Sequence, residues 1–337
     1  MKKYLIDVPV KINIWIRPEC QKKQFEVIKE AKPSILFIIS DGGRNDKEQK
    51  IIRENRKYIE DNIDWNCTVY KQYEEQNQGM YTMITKMHQL IWSHVDRCIF
   101  LEDDILPTVD FFKYCAELLE RYKNDFRISH ICGMNHLGIN ERADADYFFS
   151  REGSIWGVAL WKRTYEMYYK FDYANSQYTM ELLRENLEKN KVFWKRVSAY
   201  SKEPVYEGHV AGDEFFLEFN MYGYNQLQIV PKKNMISNIG CTKESAHADE
   251  LSELPPNIRR LFNAKVYSIE FPLKHPVYII PDLTYERKRN KTLGYNCLFI
   301  ELKMKLWKFF HMIKKGQFGK LINLIYKKIR GEVLFER

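Results

Sequence analysis

The sequence predicts an α/β fold built on a mixed, mainly parallel sheet flanked by helices, and three observations carry that reading. Short apolar runs alternate with amphipathic, charged stretches through the first half of the chain, which is the pattern of βαβ units. The run Cys98-Ile99-Phe100-Leu101 is apolar at every position and stops abruptly in Glu102-Asp103-Asp104, as expected for a fully buried strand ending at a sheet edge. The length, 337 residues with 45% hydrophobic and 29% charged, is enough for one large domain or two modest ones with an ample core.

The elements follow in order. Val10 to Ile16 alternates as a strand, and Arg17-Pro18-Glu19 opens a helix through about Ala31. Ser34 to Ser40 is a second strand, ending at Asp41-Gly42-Gly43-Arg44, and a charged helix follows through Glu60. Trp65 to Tyr70 makes a third strand, Gly79 to Val95 a helix, and the Cys98 run the fourth strand. Beyond it the pattern is less regular. Helices are expected over Phe111–Tyr122, Arg163–Phe171, Glu181–Tyr200 and Glu214–Tyr222, and strands over His130–Met134 and Leu227–Pro231. Tyr147–Ser150 and Ile155–Trp161 are apolar, and a polar loop runs from Asn234 to about Leu254.

The formal net charge is +8, which permits anionic partners, but much of it sits at the end of the chain. From about Leu298, Leu302, Leu306, Trp307, Phe309 and Phe310 alternate with Lys303, Lys305, Lys308, Lys314 and Lys315, and the pattern returns after Gly319. Such basic amphipathic helices lie in anionic membrane interfaces or pack on a domain with their lysines in water. The seven cysteines are scattered with no CxxC pair, so Cys98 and Cys132 read as small buried hydrophobes in a reducing cytosol. No signal peptide and no membrane-spanning run is expected. The basic residues form no RNA- or DNA-binding signature, so nucleic acid is not an expected partner.

Three adjacent carboxylates repel one another, so a fold that gathers them at a strand end is expected to supply a cation. A hard, oxygen-rich site suits Mg²⁺ or Mn²⁺, with substrate phosphates filling the remaining positions. The plain alternative is a solvated acidic turn at the next helix start.

Taken in order, Asn13-Ile14-Trp15-Ile16-Arg17-Pro18, Ile39-Ser40-Asp41-Gly42, Asn77-Gln78-Gly79, Glu102-Asp103-Asp104, Trp156-Gly157-Val158-Ala159-Leu160-Trp161, Gly212-Asp213-Glu214 and Ser237-Asn238-Ile239-Gly240 with Ala246-His247 resemble the GT-A fold nucleotide-sugar glycosyltransferases. The likeness is strongest to bacterial polysaccharide transferases and to the N-acetylglucosaminyltransferase I type, and it covers roughly residues 8–250. The resemblance implies a GT-A (Rossmann-like) catalytic domain, placed over 1–290 with a nucleotide-binding half (1–105) and an acceptor-side half (106–290), and the lysine-rich apolar pattern marks 291–337 as a basic amphipathic helical tail. It implies Asp104 as metal ligand, with Glu102 and Asp103 around ribose and metal-bound water. Asp41 would receive hydrogen bonds from the nucleobase, although Asp-Gly is also a plain turn signal. Arg17 would reach the base or a phosphate, and Gln78 would help close the base pocket. Asp213 would be the general base of an inverting transfer, with Glu214 its close competitor; Gly-Asp-Glu before a helix is equally an N-cap. His247 would meet the metal or the diphosphate. Trp156 would stack on a sugar, whereas core packing suits Trp161.

The function so implied is a Mn²⁺- or Mg²⁺-dependent transfer of sugar from a nucleotide diphosphate, with a UDP-sugar favoured. The acceptor would be a glycan or lipid-linked molecule in surface polysaccharide synthesis, at the cytoplasmic face of the plasma membrane. Two other classes remain. A sugar nucleotidyltransferase would also hold a metal on acids, but it usually opens with a Gly-rich phosphate loop where this chain has Arg17-Pro18-Glu19-Cys20. A non-enzymatic basic module for membrane or nucleic acid would rest on the tail alone.

Overall fold

The computed structural model describes residues 3, 5–168, 172–187, 190–202, 205–206, 209–241, 251–295, 297–314, 316 and 319. Its centre is β1 (Ile6–Ile14), a strand buried on both faces from Val8 to Ile12. Such a strand suits the middle of a parallel sheet, and β1 pairs in parallel with both β2 (Pro33–Ser40) and β4 (Arg97–Leu101). With β3 (Thr68–Tyr73), β6 (Ile128–Cys132), β7 (Tyr147–Ser150), β8 (Val158–Trp161) and β11 (Leu227–Pro231) they form an eight-stranded sheet in the order β3-β2-β1-β4-β8-β6-β11-β7. Six strands run one way; β8 and β7 run against them. The mixed, mainly parallel α/β sheet expected from the sequence is therefore present.

Helices cover both faces. On one side Phe25 and Ile28 of α1 (Pro18–Ala31), Ile59 of α2 (Asp46–Asp61) and Phe111 to Leu119 of α4 (Val109–Arg121) pack on Val10, Ile12 and Leu101. On the other, α3 (Met80–His94), α6 (Gln177–Asn186), α7 (Lys191–Tyr200) and α8 (Asp213–Gly223) close over Phe37, Ile39, Cys98 and Phe100. Cys98, Cys132 and Trp161 are core residues, and all seven cysteines are free thiols. The remaining elements are β5 (Ile105–Pro107), α5 (Lys162–Tyr165), the strands β9 and β10 (Val205–Tyr206, His209–Val210), β12 (Ile236–Asn238), α9 (Pro256–Arg259), α10 (Leu283–Leu293) and α11 (Leu298–Lys314). Among the described residues no helix is long and apolar enough to cross a membrane.

Several expectations need correcting. The single helix over Glu181–Tyr200 is two, because the Asn190 side chain accepts a hydrogen bond from Phe193 N and starts a new helix there. The third strand begins at Thr68, since Trp65 turns inward and donates its indole N–H to Pro33 O. The helix from Arg163 is the single turn of α5, with 169–171 outside the described residues. Within the expected polar loop, β12 pairs antiparallel with β5, Asn238 opposite Ile105 and Ile236 opposite Pro107. That small ribbon brings Ile239 and Gly240 against the acidic turn.

Candidate active site

The carboxyl ends of β1, β2 and β4 share one sheet edge, and each delivers a charged residue to it: Arg17, Asp41 and the acids after Leu101. Ligands of open α/β sheets bind at that edge. Because β8 runs the other way, its first residue, Val158, pairs with Phe100, and Trp156-Gly157 reaches the same edge from the opposite direction.

The acidic turn is held from three sides. Gln24 on α1 donates Nε2 to the backbone carbonyls of Glu102 and Ile105 at 2.5 and 2.6 Å. Ile239 N donates to Asp104 O at 2.9 Å. Arg17, just before α1, grips Asp103 with Nε and Nη2 at 2.9 and 2.5 Å and donates Nη1 to Asp104 Oδ2 at 3.0 Å and to Gly240 O at 3.3 Å. A guanidinium fork matched to a carboxylate is the strongest such geometry. Burial works against the Arg17 charge, but Asp103 and then Asp104 keep it more firmly protonated than a free arginine. Gly240 has no side chain for a reason: a Cβ there would overlap the Asp104 carboxylate.

Asp104 keeps one oxygen spare. Its Oδ1 is buried and has no hydrogen-bond partner among the described residues. Burial first and the adjacent Asp103 charge second raise its pKa, while Arg17 lowers it. Glu102 is exposed, yet it is crowded by surrounding protein and by Asp104; these push its carboxyl up to about 7 against the pull of Lys11. Lys11 lies inside β1 and is buried; Nζ reaches Leu101 O at 3.5 Å. Burial lowers its pKa, opposed by Glu102 and then Asp213. This lysine links the acidic turn to the start of α8.

At that start, Asp213 meets His88 of α3. Trp92 Nε1–H, which can only donate, lies 2.9 Å from His88 Nδ1. Nδ1 therefore accepts, the imidazole proton sits on Nε2, and it is shared by Asp213 Oδ1 and Oδ2 at 2.9 and 3.0 Å. His88 is wholly buried and stacks on Tyr165 at a centroid distance of 4.3 Å, while about a quarter of the Asp213 side chain remains open to solvent. Glu214 is more exposed and faces Arg196 at 3.8 Å; its charge also acts on Glu102.

Asp41 is occupied by its own loop. Oδ1 accepts from Gly42 N and Gln78 N, each at 2.8 Å, and Oδ2 from Gly79 N at 3.0 Å and Asn77 Nδ2 at 3.1 Å. Gln78 thus meets Asp41 through its backbone, and its side chain donates to Gln76 O at 3.2 Å. Trp156 is half-buried, edge-on to Phe262 at 5.4 Å. His247 lies outside the described residues, six positions beyond Cys241.

Among the described residues no three His, Cys, Asp or Glu side chains are arranged to hold a metal ion. Both oxygens of Asp103 are taken by Arg17, so the donors that fit a divalent ion are Asp104 Oδ1 and Glu102; one or two carboxylates are what Mg²⁺ commonly uses. Lys11, Gln24, His88 and Trp92 belong to no motif in the sequence. A lysine inside an apolar strand was the one signal available, for Lys11.

No family model and no curated protein matches this chain. Solved structures similar to it include a UDP-glucose pyrophosphorylase complexed with UDP-glucose (9% identity, TM-score 0.34, covering 68% of this chain and 92% of that one). Apo mouse xyloside xylosyltransferase 1 has 12% identity and TM-score 0.36, covering 66% of this chain and 84% of that one. A cytidylyltransferase from Leptospira borgpetersenii serovar Hardjo-bovis has 11% identity and TM-score 0.30, covering 56% and 73%. Likeness this distant carries no weight for function.

Proposed function

We propose that the protein is a glycosyltransferase that takes a sugar from a nucleotide diphosphate, UDP favoured, and passes it to a glycan or lipid-linked acceptor at the inner face of the plasma membrane. The observation that carries this reading is the buried, unpartnered Asp104 Oδ1 beside Glu102 at the carboxyl edge of the central sheet. An unpaired buried carboxylate oxygen is costly, and a ligand that completes it recovers that cost. Bound there, Mn²⁺ or Mg²⁺ would neutralise charge developing on the leaving diphosphate. Arg17 fixes Asp103 and Asp104 in place, and Gly240 leaves room for them.

On the acceptor side Asp213 is the general base. Its carboxylate is held by the neutral His88 N–H, which fixes its orientation without supplying a full positive charge. It is partly open to solvent, so an acceptor hydroxyl can approach and lose its proton as it attacks the anomeric carbon. A base on the face opposite the leaving group gives inversion.

A thermal-shift panel of nucleotide sugars with and without Mn²⁺, repeated on Asp104→Ala, tests the reading. The expected result is metal-dependent stabilisation by one donor, lost in the variant. No metal-dependent binding of any nucleotide sugar would remove it, and pyrophosphate exchange with a nucleoside triphosphate would replace it with nucleotidyl transfer.

A further inference from the structure

Helix α11 does two things at once. Ile300, Met304, Trp307 and His311, spaced three and four apart, form its inner face and are partly or mostly covered. The opposite face carries Phe299, Leu302, Leu306, Phe309, Phe310 and Ile313, with Phe299 76% and Phe310 63% exposed. On the helical wheel Lys303 and Lys314 border that stripe on one side and Lys305 on the other, beyond which Met312 is buried. A contiguous apolar stripe facing water and edged by lysine on both sides is the geometry of a helix lying in a bilayer interface.

Beneath the Lys303 edge lies a cavity of about 530 Å³ between α9, α10 and α11. Leu137, Pro256, Ile300, Met304 and Trp307 give it an apolar lining, and Asn257 ties the three helices together, with Nδ2 3.2 Å from both Thr292 O and Met304 Sδ. Four cations converge on it: Arg260, Lys288, Lys291 and Lys303. None of the four has an acidic partner among the described residues, and burial alone lowers the Arg260 pKa. Elsewhere the chain pairs cations readily, as Arg17, Arg56 and Arg289 do. Four cations with no acidic partner among the described residues, set around an apolar cavity, match a ligand with an anionic head and an apolar body. The volume is in the range of small-molecule sites.

We propose that this cavity binds the phosphate headgroup of an anionic membrane lipid, with the upper acyl chain against Met304 and Trp307 and the outer stripe of α11 set in the same bilayer leaflet. Lys303 belongs to both features and makes them one surface. The inference rests on the membrane placement given above, and not on sugar transfer.

The test uses the full chain with sedimented vesicles of phosphatidylcholine alone or mixed with phosphatidylglycerol. Binding to mixed vesicles is expected to be at least about tenfold tighter and to weaken with salt. Leu306→Glu with Phe310→Glu, both at exposed positions, should abolish it with the circular dichroism spectrum unchanged. Lys288→Glu with Lys291→Glu should remove the anionic preference. Water-soluble short-chain phosphatidate should change Trp307 fluorescence saturably, read against Trp307→Phe, and inorganic phosphate should not. Equal binding to both vesicles, an unaltered Lys288/Lys291 variant, or an equal response to inorganic phosphate would overturn the proposal. Nucleotide-sugar binding by the same preparation is a separate readout, so failure here leaves the transferase reading standing.

Discussion

His88 donates its single imidazole proton to both carboxylate oxygens of Asp213, across 125 positions of sequence, because Trp92 occupies its other nitrogen. The pair joins α3 to the first turn of α8 and holds the proposed base in one orientation. His88 is wholly buried, so any part it takes in the proposed transfer runs through Asp213.

Replacing His88 by Phe keeps the ring against Tyr165 and removes the donor. The transfer rate is expected to fall about 10²-fold with donor KM little changed, whereas Asp213→Asn should cost up to about 10⁴-fold. Steady-state kinetics with a fixed donor checks both. A His88→Phe enzyme with full kcat would show that Asp213 needs no support.

Arg17 supplies the positive charge that the acidic turn needs in this structure. Arg17→Ala leaves two crowded carboxylates without the cation that pairs with them directly and is expected to lower stability by about 3 kcal/mol. Arg17→Lys should recover little of it, since an ammonium cannot match the bidentate fork on Asp103. Divalent cation should then stabilise Arg17→Ala more than the parent, because both oxygens of Asp103 become free. Urea titrations with and without Mn²⁺ measure this, and equal Mn²⁺ effects on the two proteins would count against a metal at the turn.

The legibility of these features in the sequence follows from their physics. The Cys98–Leu101 strand and the acids after it were readable because a run apolar on both faces can only be buried, and its end is marked by charge. The ribbon of β5 and β12 was not, since three-residue strands show no periodicity; their pairing is decided by contact between segments more than 100 positions apart. His88 sits among Met83, Met87, Ile91 and Trp92 on the buried face of α3, where a histidine looks like ordinary core. Only its distant partner gives it a role. The sequence points Arg17 toward a ligand but says nothing of its contacts with Asp103 and Asp104; neighbours of opposite charge cannot be assigned before the fold brings them together.

Gly240→Ala tests whether the β5–β12 ribbon shapes the site. The added methyl would overlap the Asp104 carboxylate and press on Arg17 Nη1, so the turn must shift. Metal-dependent nucleotide-sugar binding should weaken at least about tenfold, while overall stability falls by only about 1–3 kcal/mol. Thermal-shift titration beside a denaturant melt separates the two, and unchanged binding would place the site elsewhere along the edge.

His130, in the middle of β6 and 1% exposed, sets part of the acid limit of the fold. Burial drives its imidazole down to about 4, with Gln228 opposing, whereas an unfolded histidine titrates near about 6.5. Between those values the unfolded chain binds a proton that the native protein does not, so stability rises with pH across the window and is lost on acidification. The cost by about pH 4 is on the order of 3 kcal/mol from this residue. His136, half-buried and held low by desolvation first and by the charges of Arg289 and Arg260 after it, acts in the same direction. Denaturant melts at intervals from pH 7 to 4 should show the decline in the parent and a shallower one in His130→Leu. Parallel slopes in the two proteins would mean that His130 is already charged in the native state and has found a partner to hold that charge.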